Sequence, residues 1–89
     1  MARIDFAPMI QRQVACAGFD TAATSLATVL DEAFAGAPGL RGYLLDDQGC
    51  VRRHVAVFIN GSLHHARADL CRALQAGDRI YVVQALSGG

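Results

Sequence analysis

Lysine is missing from this chain of 89 residues, and all eight of its basic residues are arginine. No side-chain amine is therefore present on it to form an isopeptide bond. Cysteine is sparse and odd in number: Cys16, Cys50 and Cys71 stand far apart. That spacing argues against a disulfide framework and against a zinc or iron–sulfur ligand run. No stretch approaches 18 consecutive apolar residues, and the opening Met-Ala-Arg-Ile-Asp lacks the apolar run of a signal peptide. The expectation is a reduced, cytoplasmic protein without a membrane partner. Neither sign of charge is in excess, since eight acidic residues cancel the eight arginines. Without a basic stripe, nucleic acid is not an expected partner. Among the three histidines, His64 and His65 are strand neighbours pointing to opposite faces, so they do not share a metal. No metal site is expected, and no acid–base pair is arranged for catalysis.

What is present is hydrophobic, at 53% of residues, in a length that supports one core and one domain. Arg3 to Ala7 alternate, which predicts a half-buried strand with Ile4 and Phe6 inward, ended by Pro8. Residues 12–17 predict a second strand, closed by Gly18 and Asp20. From Ser25 the period changes: Leu26, Val29, Leu30, Ala33 and Phe34 form the stripe of an amphipathic helix over Leu26 to Ala35. Thr24-Ser25 supply cap hydroxyls, and Gly36-Ala37-Pro38-Gly39 the stop. Leu40 to Leu45 reads as a loop or a short helical turn, and Asp46 to Gly49 as a surface turn. Residues 53–59 predict a strand with Val55, Val57 and Ile59 on one face. Asn60-Gly61 is a type I′ hairpin signal, followed by a short return strand from Ser62. Residues 69–75 read as one helical turn, and Arg79 to Ala85 as the last strand.

Two hairpins around one helix give an α+β, β-grasp arrangement: a mixed four- to five-stranded sheet with one main helix on one face. The domain spans 1–85, and 86–89 form a C-terminal tail. Strand alternation puts His54, Ala56 and Phe58 opposite the core side, with Tyr81 and Val83 on the same outer face. Phe58, Tyr81 and Val83 make an apolar patch of the kind that marks a partner site. Arg52, Arg53 and Arg79 are expected to rim it.

The tail is Leu86-Ser87-Gly88-Gly89. Paired glycines leave a thin backbone able to thread a narrow channel, and four extended residues reach about 13–14 Å. Val57-Phe-Ile-Asn-Gly61, Leu74-Gln-Ala-Gly-Asp78 before an apolar strand, and Ala85-Leu-Ser-Gly-Gly89 together resemble the MoaD/ThiS family of ubiquitin-like sulfur carriers. The resemblance covers nearly the whole chain, including Pro38-Gly39-Leu40 after the helix.

It implies that Gly89 is adenylated by an activating enzyme of the ubiquitin-activating (MoeB/ThiF-like) type, using ATP and magnesium. A sulfur donor then displaces AMP to leave a thiocarboxylate, which a sulfur-accepting synthase consumes. Leu86, Ser87 and Gly88 would thread the partner's site, and the chain would bind no cofactor and be no enzyme itself. Leu44-Leu45-Asp46, Arg52-Arg53 and the strand ending in Asn-Gly are similar to the CysO-like branch, which serves cysteine biosynthesis. Gln84 and His54 depart from that branch's proline and aromatic. Three other readings stay open: the small subunit of molybdopterin synthase, a ubiquitin-like protein modifier, and a β-grasp binding module whose tail is incidental.

Overall fold

The structure, a computed structural model, describes residues 1–84. The expected tail residues Leu86, Ser87, Gly88 and Gly89 lie outside the described residues, as does Ala85 at the expected domain boundary. The elements run β1 (Ala2–Phe6), α1 (Pro8–Gln13), β2 (Phe19–Thr21), α2 (Leu26–Gly36), α3 (Gly39–Leu44), β3 (Val55–Ile59), β4 (Ser62–Leu63) and β5 (Arg79–Gln84). The strands form one mixed sheet in the order β2-β1-β5-β3-β4. β5 lies at its centre, parallel to β1 and antiparallel to β3. This is the β-grasp arrangement expected from the element order.

The core fills the space between one sheet face and the helices. Ile4, Phe6, Val55, Val57, Ile59, Ile80 and Val82 meet Leu26, Val29, Leu30, Leu40 and Leu44, all buried. The stripe read from the sequence is the buried face of α2. Burial of such side chains stabilises by about 1.5–3 kcal/mol each before the cost of ordering them. The hairpin between β3 and β4 turns at Asn60 and Gly61, both at positive φ (53° and 82°), as a type I′ turn requires.

Two expected elements are replaced by others. Residues 12–17 are not a strand. Pro8 does not merely end β1; it opens α1, where its fixed φ suits the first helical turn and its missing N–H costs nothing. α1 then buries Ile10 completely. The partner strand of β1 forms only after Gly18, whose backbone lies so close to β1 that a Cβ there would collide with the Asp5 carboxylate and come within 2.7 Å of the Ile4 carbonyl oxygen. The pairing Ile4↔Phe19 through Ala2↔Thr21 follows from that close approach.

Residues 69–75 are not a helical turn either. The segment runs extended beside the start of α2, with an antiparallel bridge between Ser25 and Ala73. The Leu26 and Ala27 amides donate to the carbonyls of Arg72 and Leu70 at 2.9 and 2.8 Å, and Leu74 N–H donates to Thr24 O at 2.8 Å. The Thr28 amide donates to Ser25 Oγ at 3.2 Å. A helix start leaves its first amides without internal partners, and here the strap and the cap together take three of them. Those carbonyls are thereby unavailable for a turn of their own.

Leu40 to Leu45, expected as a loop or a helical turn, lies in α3, which starts one residue earlier at Gly39, and in its C-cap Leu45. The strand expected over 53–59 begins at Val55, because Arg53 and His54 lie in a tight turn closed by Val55 N–H donating to Arg52 O at 3.0 Å. The return strand is two residues long, and His64 N–H extends its pairing by donating to Val57 O at 2.8 Å.

Candidate docking face and the root of the C-terminal segment

With Val55, Val57, Ile80 and Val82 turned into the core, strand alternation turns Ala56, Phe58, Tyr81 and Val83 to the opposite face of the sheet. The register makes these direct neighbours: Phe58 opposes Tyr81, and Ala56 opposes Val83. Leu63 opposes Phe58 from β4, and Asp5 flanks Tyr81 from β1. The result is a row across four strands, Asp5–Tyr81–Phe58–Leu63, with Val83 and Ala56 beside it toward the C-terminal end of β5. Tyr81 is 41% exposed and Leu63 37% exposed, while Phe58 and Val83 are half-buried. The three residues expected at the patch are thus brought together. Leu63 was missed, although the two-residue Asn60-Gly61 turn fixes its pairing with Phe58 and so its face.

The far end of this face, on β1 and β2, is polar. Arg3 bonds the Asp5 carboxylate at 3.1 Å and Asp20 at 3.4 Å, all substantially exposed. The Asp5 hydrogen bond, then its charge, raises the Arg3 pKa further. Screened pairs of this kind contribute little to stability. Arg79 lies beside Arg3 on β5 and is exposed. Arg53 is exposed on its turn. Arg52 does not rim the patch as expected: its Nε donates to the Gly42 carbonyl of α3 at 2.9 Å. His54 is likewise displaced. It precedes β3, so strand alternation does not govern it, and its ring packs edge-on to Tyr43 of α3 with centroids 5.2 Å apart.

At the end of β5, Gln84 pairs with Val55. Its side-chain carbonyl oxygen accepts a hydrogen bond from the Tyr43 hydroxyl at 2.8 Å. Gln84 therefore ends the described part of β5 with the apolar row on one face of the sheet and the Tyr43–His54 pair on the other.

Elsewhere, His64 Nε2 lies 2.8 Å from the Asp69 carbonyl oxygen, while His65 is exposed. Among the described residues no three His, Cys, Asp or Glu side chains converge as a metal site would need. Cys16 is half-buried against the core, and burial pushes its thiol pKa up, favouring the protonated thiol. A hollow of about 520 Å³ opens between β2 and α2, lined by Phe6, Phe19, Thr21, Glu32 and Ala33 among others. It touches none of the docking row. No described helix is long and apolar enough to cross a membrane.

A single small β-grasp domain with an apolar outer sheet face and a central last strand defines the ubiquitin-like class. Solved structures agree. The chain is similar to CysO from Mycobacterium tuberculosis, at TM-score 0.78 and 17% identity over 97% of this chain and 100% of that one. It is similar to SAMP1 from Haloferax volcanii, at TM-score 0.74 and 21% identity over 99% and 98%. A third similar structure is the BexX/CysO complex of Amycolatopsis orientalis, at TM-score 0.76 and 16% identity over all of both chains. No curated protein sequence matches. The profile of the ThiS family matches residues 10–89, and the chain belongs to that family of ubiquitin-like sulfur carriers.

Proposed function

We propose that this chain carries sulfur as a thiocarboxylate on Gly89, for the synthesis of cysteine or another sulfur-containing metabolite. The observation that carries the reading is the ThiS-family match running through residue 89, with the central strand β5 leading toward that end beside an apolar face. In the first step the Gly89 carboxylate attacks the α-phosphorus of magnesium-bound ATP on an activating enzyme of the ubiquitin-activating type, releasing pyrophosphate. The resulting acyl–AMP anhydride has a good leaving group. Sulfide delivered by a donor then attacks the acyl carbon, AMP departs, and a thiocarboxylate and a proton remain. A sulfur-accepting synthase consumes it. The chemistry belongs to the chain end and the catalysis to partners, in the cytoplasm.

Phe58, Tyr81 and Val83, joined by Leu63, form the surface on which these partners dock, while Leu86, Ser87 and Gly88 thread the catalytic channel. Complex formation by the similar CysO of Amycolatopsis orientalis with BexX supports a docking role for such a domain. The likeness to SAMP1, a small archaeal modifier protein, favours protein conjugation as the second reading.

Removal of Gly89 tests the proposal. With the host's activating enzyme, the full chain should support ATP–pyrophosphate exchange and the shortened chain none. Equal exchange by both would show that the enzyme does not act at this carboxylate.

A further inference from the structure

We propose that Tyr43 is a positioning residue: its hydroxyl latches Gln84 at the end of β5, so that the strand from which the C-terminal segment departs is already ordered in the free carrier. This inference rests on the carrier reading above. The pairing of β5 with β1 ends at Phe6↔Val82, followed by Ala7 N–H donating to Val82 O at 2.9 Å. Beyond Val82, β5 keeps only β3 as a strand neighbour, through Ala56↔Val83 and Val55↔Gln84. The central strand thus loses one of its two strand partners after Val82.

Tyr43 supplies a second hold at that point. Its hydroxyl donates to Gln84 Oε1 at 2.8 Å, joining residues 41 apart in sequence. The phenol is itself held. His54 packs edge-on against it, and the end of α3 is tied to the segment entering β3 by Arg52 Nε–H to Gly42 O and Arg52 N–H to Leu44 O, both 2.9 Å. Gln84 opposes the fully buried Val55, so by strand parity it turns to the helix side. The latch therefore closes on the face opposite Tyr81 and Val83, and a partner on the apolar row does not have to break it.

Pre-ordering the root removes an entropy cost that an activating enzyme would otherwise meet on binding, and leaves the chemical step untouched. Loss of the hydroxyl should then raise KM and leave kcat alone. In ATP–pyrophosphate exchange, Tyr43→Phe, which keeps the ring and its His54 contact, should raise KM for the carrier about five-fold. Gln84→Leu should do the same, and the double variant should be no worse than either single one. An unchanged KM in Tyr43→Phe, or effects that multiply in the double variant, would overturn the latch.

Backbone ¹⁵N relaxation of the free chain supplies a readout that needs no enzyme. Gln84 should be as rigid as Val82 in the wild type and looser in Tyr43→Phe; equal mobility of Gln84 in both would also overturn it. Should the wild type support no exchange at all, the carrier reading falls and the relaxation comparison alone decides the latch.

Discussion

Asp78 accepts hydrogen bonds from the Gln75 amide at 2.8 Å and from Asn60 Nδ2 at 2.9 Å. Those two donors, the Gln75 amide foremost, hold its pKa below the ordinary aspartate value of 3.8. A carboxylate with a lowered folded pKa contributes stability that is complete above its unfolded value and lost as the pH falls through the folded one. Asp78→Ala should therefore unfold at lower urea than the wild type at neutral pH, with the gap narrowing at a pH below the ordinary aspartate range. Urea midpoints at the two pH values check this, and a gap of constant size would contradict it. Asn60-Gly61 was legible in the sequence as a turn, and Gly77-Asp78 as part of the family-like pattern before the last strand. That they belong to one cluster was not, because their contact, completed by the Arg79 amide donating to Asn60 Oδ1 at 2.9 Å, depends on which strands are neighbours. His54 and Gln84, singled out as departures from the CysO-like pattern, also converge, on Tyr43. Sequence marks such positions without showing what they meet.

At the scale of elements, regular periodicity was readable and borrowed structure was not. α2 was legible because its stripe, cap and stop agree within one segment. β3 and β5 were legible because each alternates over a buried face. The segment 69–75 carries a helix-like pattern but gives its carbonyls to α2, a tertiary demand that no local window contains. Residues 12–17 failed because a proline before them reads equally as a strand end and a helix start. The strap and the cap around α2 can be ranked. Ser25→Ala removes one acceptor and should cost about 1 kcal/mol. Leu74→Ala empties a buried position on the strap and should cost about 2–4 kcal/mol. Equilibrium unfolding gives both values. The reverse order would mean that the strap is not integral to the fold.

The whole molecule separates stability from contact. Its core lies between the sheet and the helices, while the row Tyr81–Phe58–Leu63 faces outward and owes little to folding. This division was legible from strand parity alone, whereas the polar end at Arg3, Asp5 and Asp20 required the strand order. Tyr81→Ala should weaken binding to the activating enzyme about thirty-fold, as loss of a central aromatic anchor does. Folding stability should change by about 1 kcal/mol, the scale of a lost cross-strand pair. Isothermal titration beside urea unfolding separates the two, and unaltered affinity would remove Tyr81 from the docking surface.

The central claim concerns one atom exchanged at Gly89. Intact-mass spectrometry of the chain, after incubation with the host's activating enzyme, ATP, magnesium and a sulfide source, reads that exchange directly. The carrier account predicts a species heavier by the difference between one sulfur and one oxygen, located by fragmentation in the C-terminal residue. A population that remains entirely free acid would contradict it, and higher-mass adducts joined through Gly89 to lysines of other proteins would favour the modifier.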